Sequence, residues 1–356
     1  MIAPHGGRAK LGALATLSVA AVLLAAGCGG AEEPPPEPEV VAHTPEMSTD
    51  KGHAPDPQAP EAWPLSGVPG EVEERPALSV KVENSDDARP QTGLGDADIV
   101  WEQLIEGGET RLNAVFHSQV PPSLGPIRSL RPMDVNISSG HGGVLAFSGG
   151  QSAFVAEARE SSLHLVTHDA GGPGFTRNPD RPAPHNLYGD PAAFLEDGSG
   201  QGPPGEFFSY ALPNQEPSAV ATGEPASNLQ VQFPSAAPGW DWDEGAEVWQ
   251  RTEDGEPAMT TDDGQISAVN VVVLRVQVRN TSFTDPSGAP VPETAITGSG
   301  TAVVATGGHT ITGTWSKEDP ADPVVLSTGD DEDLLLAPGN TWVELLPESG
   351  SSLSVD

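Results

Sequence analysis

From Arg75 onward, short runs of alternating apolar and polar residues follow one another across glycine and proline turns. Ala77–Glu83 (ALSVKVE) alternates with a period of two and predicts a strand. Asp98–Glu106 (DIVWEQLIE) and Thr110–Ser118 (TRLNAVFHS) predict two more, joined at Glu106-Gly107-Gly108-Glu109. The two glycines there supply the positive φ of a tight hairpin. A helix over Asp96–Glu106 is the competing reading. Pro121-Pro122 and Gly125-Pro126 then break the chain. Ser129 reads as a helix N-cap, with Pro132 early in a helix running to about Ser139. Val144–Phe147 and Leu163–Thr167 predict strands, and Ser152–Glu160 and Asp190–Asp197 predict helices. Strands alternating with helices indicate an α/β domain over 75–200.

Gly198–Gly205 is a glycine-rich joint, and the texture beyond it is β. Strands are expected at Glu206–Ala211, Leu229–Phe233, Glu247–Arg251, Ser267–Val278, Thr301–Thr306, His309–Trp315 and Thr341–Leu346. Turn pairs such as Asp254-Gly255, Asp263-Gly264 and Gly307-Gly308 separate them. This pattern predicts an all-β C-terminal domain over 206–347, followed by a disordered tail at 348–356.

Composition adds a leader and a tether. Arg8 and Lys10 precede a short uncharged apolar stretch, Leu11–Ala26, too brief for a membrane span of about 20 residues and suited to a signal peptide over 1–27. Leu24-Ala25-Ala26-Gly27-Cys28 resembles the lipobox of bacterial lipoproteins, and Cys28 is the sole cysteine. The resemblance implies acylation of Cys28 and anchoring on the extracytoplasmic face of the cell membrane. Residues 29–74 hold ten prolines and eleven acidic residues against one lysine. Such a segment buries too little surface to offset its ordering entropy, so 28–74 reads as a disordered tether. The chain has 16 Lys plus Arg against 51 Asp plus Glu, a formal net charge of −35. That surplus repels nucleic acid and anionic lipid, so neither is expected as a direct partner.

Several motifs together resemble one family, the YerB-like lipoproteins, a domain of unknown function with N- and C-terminal parts. They are Ala88-Arg89-Pro90-Gln91-Thr92-Gly93-Leu94, Ala97-Asp98-Ile99-Val100, Glu106-Gly107-Gly108 with Thr110-Arg111, Gly125-Pro126-Ile127-Arg128-Ser129 with Arg131, and Pro184-His185-Asn186-Leu187-Tyr188. In the second half, Ala268–Val273 and Pro338-Gly339-Asn340-Thr341-Trp342 carry the likeness. It spans about 75–347 and implies an extracytoplasmic lipoprotein of two domains, with no established reaction.

The candidate chemistry gathers in Asn84–Arg131, because arginine is scarce elsewhere. Arg128, Ser129 and Arg131 at a helix start would offer N–H groups, a hydroxyl and guanidinium forks to a phosphate or carboxylate. The other reading pairs these arginines with Asp98, Glu102 and Glu106 inside the fold. On a strand, Asp98, Glu102 and Glu106 share a face, and paired carboxylates serve either glycan cleavage or structure. Glu106 and His185 are the candidate catalytic acid and base. Arg89, Gln91, Arg111, Arg128, Ser129, Arg131, Asn186 and Tyr188 form the candidate ligand-binding set. His164 and His168 have a helical ligand spacing on what reads as a strand, and no cofactor or metal is expected. The leading expectation is a binding module for an envelope polymer or partner protein. The alternative is an envelope hydrolase or transferase acting on an anionic or glycan substrate.

Overall fold

β1 (Leu78–Glu83) forms where the alternation lies, yet both of its faces are buried. Leu78, Val80 and Val82 enter one core, while Ser79, Lys81 and Glu83 face another layer that is also closed to water. A strand covered on both faces fits an α/β layer better than a half-solvated sheet. The computed structural model describes residues 61–330 and 332–356. The expected leader, Cys28 and the tether as far as residue 60 lie outside the described residues. Among the described residues no helix is long and apolar enough to cross a membrane.

β2 (Ile99–Leu104) and β3 (Thr110–Phe116) pair antiparallel, which rules out the helical reading of Asp96–Glu106. The turn between them places Gly107 at φ 76° and Gly108 at φ 82°. Next come α1 (Asp134–Ser139), β4 (Val144–Phe147), α2 (Ser152–Glu160), β5 (His164–Thr167), β6 (Phe175–Arg177), β7 (Leu187–Gly189) and α3 (Pro191–Asp197). Asp190 caps α3 by accepting from the Ala192 and Ala193 amides, with Pro191 at the first helical position.

The helix expected from Ser129 starts only at Asp134. The backbone before it is committed elsewhere. Arg128 N donates to the Lys81 carbonyl, Leu130 N to the Gly149 carbonyl, and Ser148 N to the Arg128 carbonyl. Those bonds hold residues 128–130 extended between the ends of β1 and β4, so Ser129 caps nothing.

The second half supplies α4 (Ser218–Thr222), β8 (Glu224–Pro225), β9 (Asn228–Gln232), β10 (Pro238–Asp243), β11 (Val248–Glu253), β12 (Glu256–Pro257) and β13 (Ser267–Ala268). Then follow β14 (Asn270–Thr284), β15 (Pro290–Ala295), β16 (Gly298–Thr306), β17 (His309–Lys317), β18 (Val325–Ser327), β19 (Thr341–Pro347) and β20 (Ser352–Val355). Three expectations change. Glu206–Ala211 makes no ladder, because Phe207 N donates to Pro64 and Ala211 N to Leu336, two different segments. The tail does not fray: β20 pairs antiparallel with β9 and covers an edge that would otherwise stand open. The tether does not reach 74 either. Residues 61–70 turn back on themselves through an Ala62–Pro69 bridge, Leu65 is fully buried, and Tyr210 Oη donates to the Leu65 carbonyl at 2.6 Å.

The main sheet has twelve strands in the order β18-β17-β16-β14-β19-β2-β3-β1-β4-β5, with β15 on β14 and β8 on β17. It runs through both halves of the sequence. β19 lies parallel between β14 and β2, joining the late strands to the early ones. β9, β10 and β11 form the middle of a six-stranded sheet that also carries β12, β13 and β20. Its Leu229, Val231, Trp240 and Trp249 share a core with Val100, Leu112, Val271 and Trp342 of the main sheet. On the opposite face, Met133 and Ile137 beside and within α1 pack on Ile99, Trp101, Val115, Val272 and Val343.

Candidate functional site

Two polar clusters occupy the two faces of this sheet. The first lies on the α1 face. Register places Lys81 opposite Asn113 and Glu83 opposite Arg111, while Gln103 flanks Arg111 from β2. All five are buried where side chains are normally apolar. Lys81 Nζ sits 2.6 Å from Asp134 Oδ1, and Gln103 Nε2 donates to the same oxygen at 2.8 Å. Asp134 Oδ2 accepts from the Arg131 amide at 2.6 Å. Asn113 Nδ2 donates to Ser138 Oγ at 3.0 Å.

Arginines close this cluster. Arg131 meets Glu106 with both forks, Nε at 2.7 Å from Oε1 and Nη2 at 2.8 Å from Oε2. Arg128 Nε lies 3.0 Å from Glu83 Oε1, and His185 Nδ1 lies 3.0 Å from Glu83 Oε2. Arg111 differs from both. Among the described residues its guanidinium donates only to the Ser129 carbonyl, at 3.2 Å, and its Nε has no partner. Burial, together with the charges of Arg131 and Arg128, pulls the Arg111 pKa down to about 9. Lys81 is held down to about 8, by burial first, with Asp134 opposing and Arg111 and Arg131 adding to the fall. Four cations thus face the three carboxylates of Glu83, Glu106 and Asp134. The Arg128 and Arg131 side chains remain 26% and 15% exposed, which leaves a way in.

The second cluster lies on the other face, between the two sheets. Glu102 of β2 and Glu344 of β19 stand side by side in register. Arg251 of β11 reaches across to both: Nη2 is 2.6 Å from Glu102 Oε2, and Nη1 is 3.1 Å from Glu344 Oε1. Its Nη2 also meets Glu253 Oε1 at 2.5 Å. The guanidinium carbon lies 4.4 Å from the Trp342 ring centroid and 5.2 Å from that of Trp240, within cation–π reach of both members of this edge-to-face pair. Thr110 Oγ1 and Asn84 Nδ2 donate to Glu102 Oε1 at 2.6 and 3.2 Å. Burial alone would lower the Arg251 pKa, but the three carboxylates outweigh it and keep the group charged. Burial and then the charge of Glu102 push Glu344 well above the usual carboxylate range.

The expected site residues therefore separate. Glu106, Arg111, Arg128, Ser129, Arg131 and His185 converge around the first cluster. Arg89 points instead toward the second, with Nη2 3.2 Å from Glu253 Oε2. Gln91 braces the Asn84 loop, donating to Asn84 Oδ1 at 2.9 Å and to the Glu83 carbonyl at 3.1 Å. Asn186 is held by Arg177, and the Tyr188 hydroxyl by Arg181, each at 2.7 Å. Asp98, Glu102 and Glu106 do not act as one face. Asp98 accepts from the His117 and Ser118 amides, and Glu106 lies beyond the strand in the turn. His164 Nε2 meets Asp197 Oδ2 at 2.7 Å. Among the described residues, no group of three or more His, Cys, Asp or Glu side chains is placed to hold a metal. Sequence reading missed Lys81, Glu83, Gln103, Asp134 and Arg251. The signal for Lys81 and Glu83 was present: they are the polar positions of a strand between two cores.

Relatives match most of the chain. Residues 65–203 match the N-terminal domain, and residues 229–343 the C-terminal domain, of the family described as "Protein of unknown function (DUF3048)". A protein of Bacillus subtilis (strain 168), named "Putative lipoprotein YerB", is 27% identical over 292 residues, 80% of this chain and 86% of that protein. A crystal structure of the YerB protein from Bacillus subtilis superposes with a TM-score of 0.70 at 24% identity, covering 83% of this chain and 99% of the other, and shows a shared fold. With both parts of the family present in order, the chain belongs to the YerB-like family of proteins of unknown function.

Proposed function

We propose that this protein is a lipid-anchored binding module of the cell envelope, and that its first cluster takes an anionic group of an envelope polymer or partner. Arg111 carries the reading. A buried guanidinium with an open Nε, beside two more arginines, in a chain of net charge −35, is costly unless something negative completes it. Phosphate or carboxylate suits the planar forks of Arg128 and Arg131 at the rim. The lipobox-like stretch ending at Cys28 and the name of the Bacillus relative support the anchor.

The hydrolase or transferase alternative has less support. Glu106, the candidate acid, is held by both Nε and Nη2 of Arg131, while His185 lies beside Glu83 without a hydrogen bond from its Nδ1. The test is calorimetric titration of the full-length protein in detergent with inorganic pyrophosphate, and then of Arg111→Met. Saturable binding that weakens at least ~10-fold in the variant, a loss of about 1.4 kcal/mol or more, is expected. A parent that shows no saturation, or a variant that binds like the parent, refutes the reading.

A further inference from the structure

β14 outruns the main sheet. Asn270–Val276 pair with β19, whereas the residues from Gln277 onward pair only with β15. A free two-stranded ribbon is marginally stable, and this one is pinned at its far end. Phe283 meets the Phe154 ring of α2 edge-on at 5.1 Å, Gln151 Nε2 donates to the Thr284 carbonyl at 2.9 Å, and Val291 is fully buried among Leu130, Val135, Phe147 and Phe154. β15 also runs beside the Glu106–Gly108 turn.

At the base of this arm lies a cavity of about 470 Å³, bounded by β14, β15, the start of β16, Trp315 and Asn136 of α1. Its size falls within the ~300–1,000 Å³ range of small-ligand sites. Its walls mix donors and acceptors: amides from Asn136 and Gln277, and hydroxyls from Thr294 and Ser299. Thr294 is fully buried, and its hydroxyl has no hydrogen-bond partner, an uncommon state for a buried hydroxyl. Arg279 and Glu293 face each other across the two strands, yet Arg279 Nη2 donates to Gln277 Oε1 at 3.1 Å. Glu293 and Glu348 outnumber that one cation, so the cavity disfavours an anion. The Trp315 Nε1 is spent on the Arg275 carbonyl at 3.0 Å, and the indole is 3% exposed, so it closes the floor of the cavity rather than offering it a face.

We infer that this cavity binds a neutral saccharide unit of a polymer. Hydroxyls that both donate and accept match the mixed amides, hydroxyls and carboxylates of the walls. A peptide would need apolar pockets that these walls lack. The site uses no residue of the arginine cluster, so the two readings stand or fall separately.

The experiment titrates the full-length protein in detergent with tetra-N-acetylchitotetraose and with maltotetraose, followed by calorimetry and ligand-detected saturation-transfer NMR. Saturable binding of at least one is expected, weakened ~10-fold or more by Thr294→Val and by Asn136→Ala. Pyrophosphate titrations of the same two variants should match the parent, which shows that they remain folded. If neither oligosaccharide saturates, or if both variants bind sugar as the parent does, the assignment is wrong. Sugar binding without pyrophosphate binding would overturn only the anion reading.

Discussion

The two polar clusters are near mirror images in charge and differ in how deeply their centres are buried. On the α1 face, Lys81, Arg111, Arg128 and Arg131 exceed Glu83, Glu106 and Asp134 by one positive charge. Between the sheets, Glu102, Glu253 and Glu344 exceed Arg251 and Arg89 by one negative charge. The centre of the second surplus is sealed, with Arg251 1% exposed and Glu102 and Glu344 not exposed at all, while Arg89 at its margin is 21% exposed. A sealed surplus of carboxylate is relieved by keeping a proton. A surplus that solvent reaches past Arg128 and Arg131 is the one that, on our proposal, a bound anion relieves. On that proposal, the same sheet carries a lock on one face and a receptor on the other.

Breaking the lock should have the largest effect. Arg251→Met leaves three carboxylates buried between the sheets without their central cation. Stability should fall by about 3–5 kcal/mol, read as a lower denaturant midpoint. A variant within about 0.5 kcal/mol of the parent would show that packing, not charge, joins the sheets.

An intermediate effect concerns pH. The folded pKa of Glu344 is raised above its ordinary 4.5, so the folded state binds more protons than the unfolded state above that pH. Stability from this group is present at acidic pH and declines as pH rises from about 4.5 through the folded-state pKa. Glu344→Gln keeps an acceptor for Trp240 Nε1 and removes this titration. The variant should match or exceed the parent in stability at pH 8 and should lack its share of the decline. Parallel unfolding profiles for the two proteins would place the proton elsewhere.

The smallest effect sharpens the receptor side. Glu106→Gln removes the carboxylate that competes for Arg131 while keeping a hydrogen-bonding amide. Pyrophosphate affinity should rise ~2–5-fold, with stability changed by no more than about 1 kcal/mol. A weaker affinity in this variant would mean that Glu106 positions Arg131 rather than competing with the ligand.

What could be read from the sequence follows the same division. The alternation in ALSVKVE, the diglycine after DIVWEQLIE and the proline after Asp190 are local signals, and β1, the β2–β3 hairpin and α3 form on them. Ser129 carried an equally local helix signal and lost to long-range bonds from Lys81 and Gly149. Tail residues 352–355 gained a partner that no nearby residue announces. At the site, the resemblance motifs marked Arg111, Arg128 and Arg131, but Arg251 sits 149 residues from Glu102 and was invisible without coordinates. Reading Glu102 and Glu106 as partners assumed that the strand continued, and the turn at Ile105–Glu109 parts them.

The position of β19 bears on how such a chain is made. Ile99 finds its parallel neighbour only at Thr341. Until that late stretch emerges, β2 and β14 each present a bare edge, and pairing across so wide a gap is slow. A product cut short before Thr341 would keep two exposed borders and no means of sealing them.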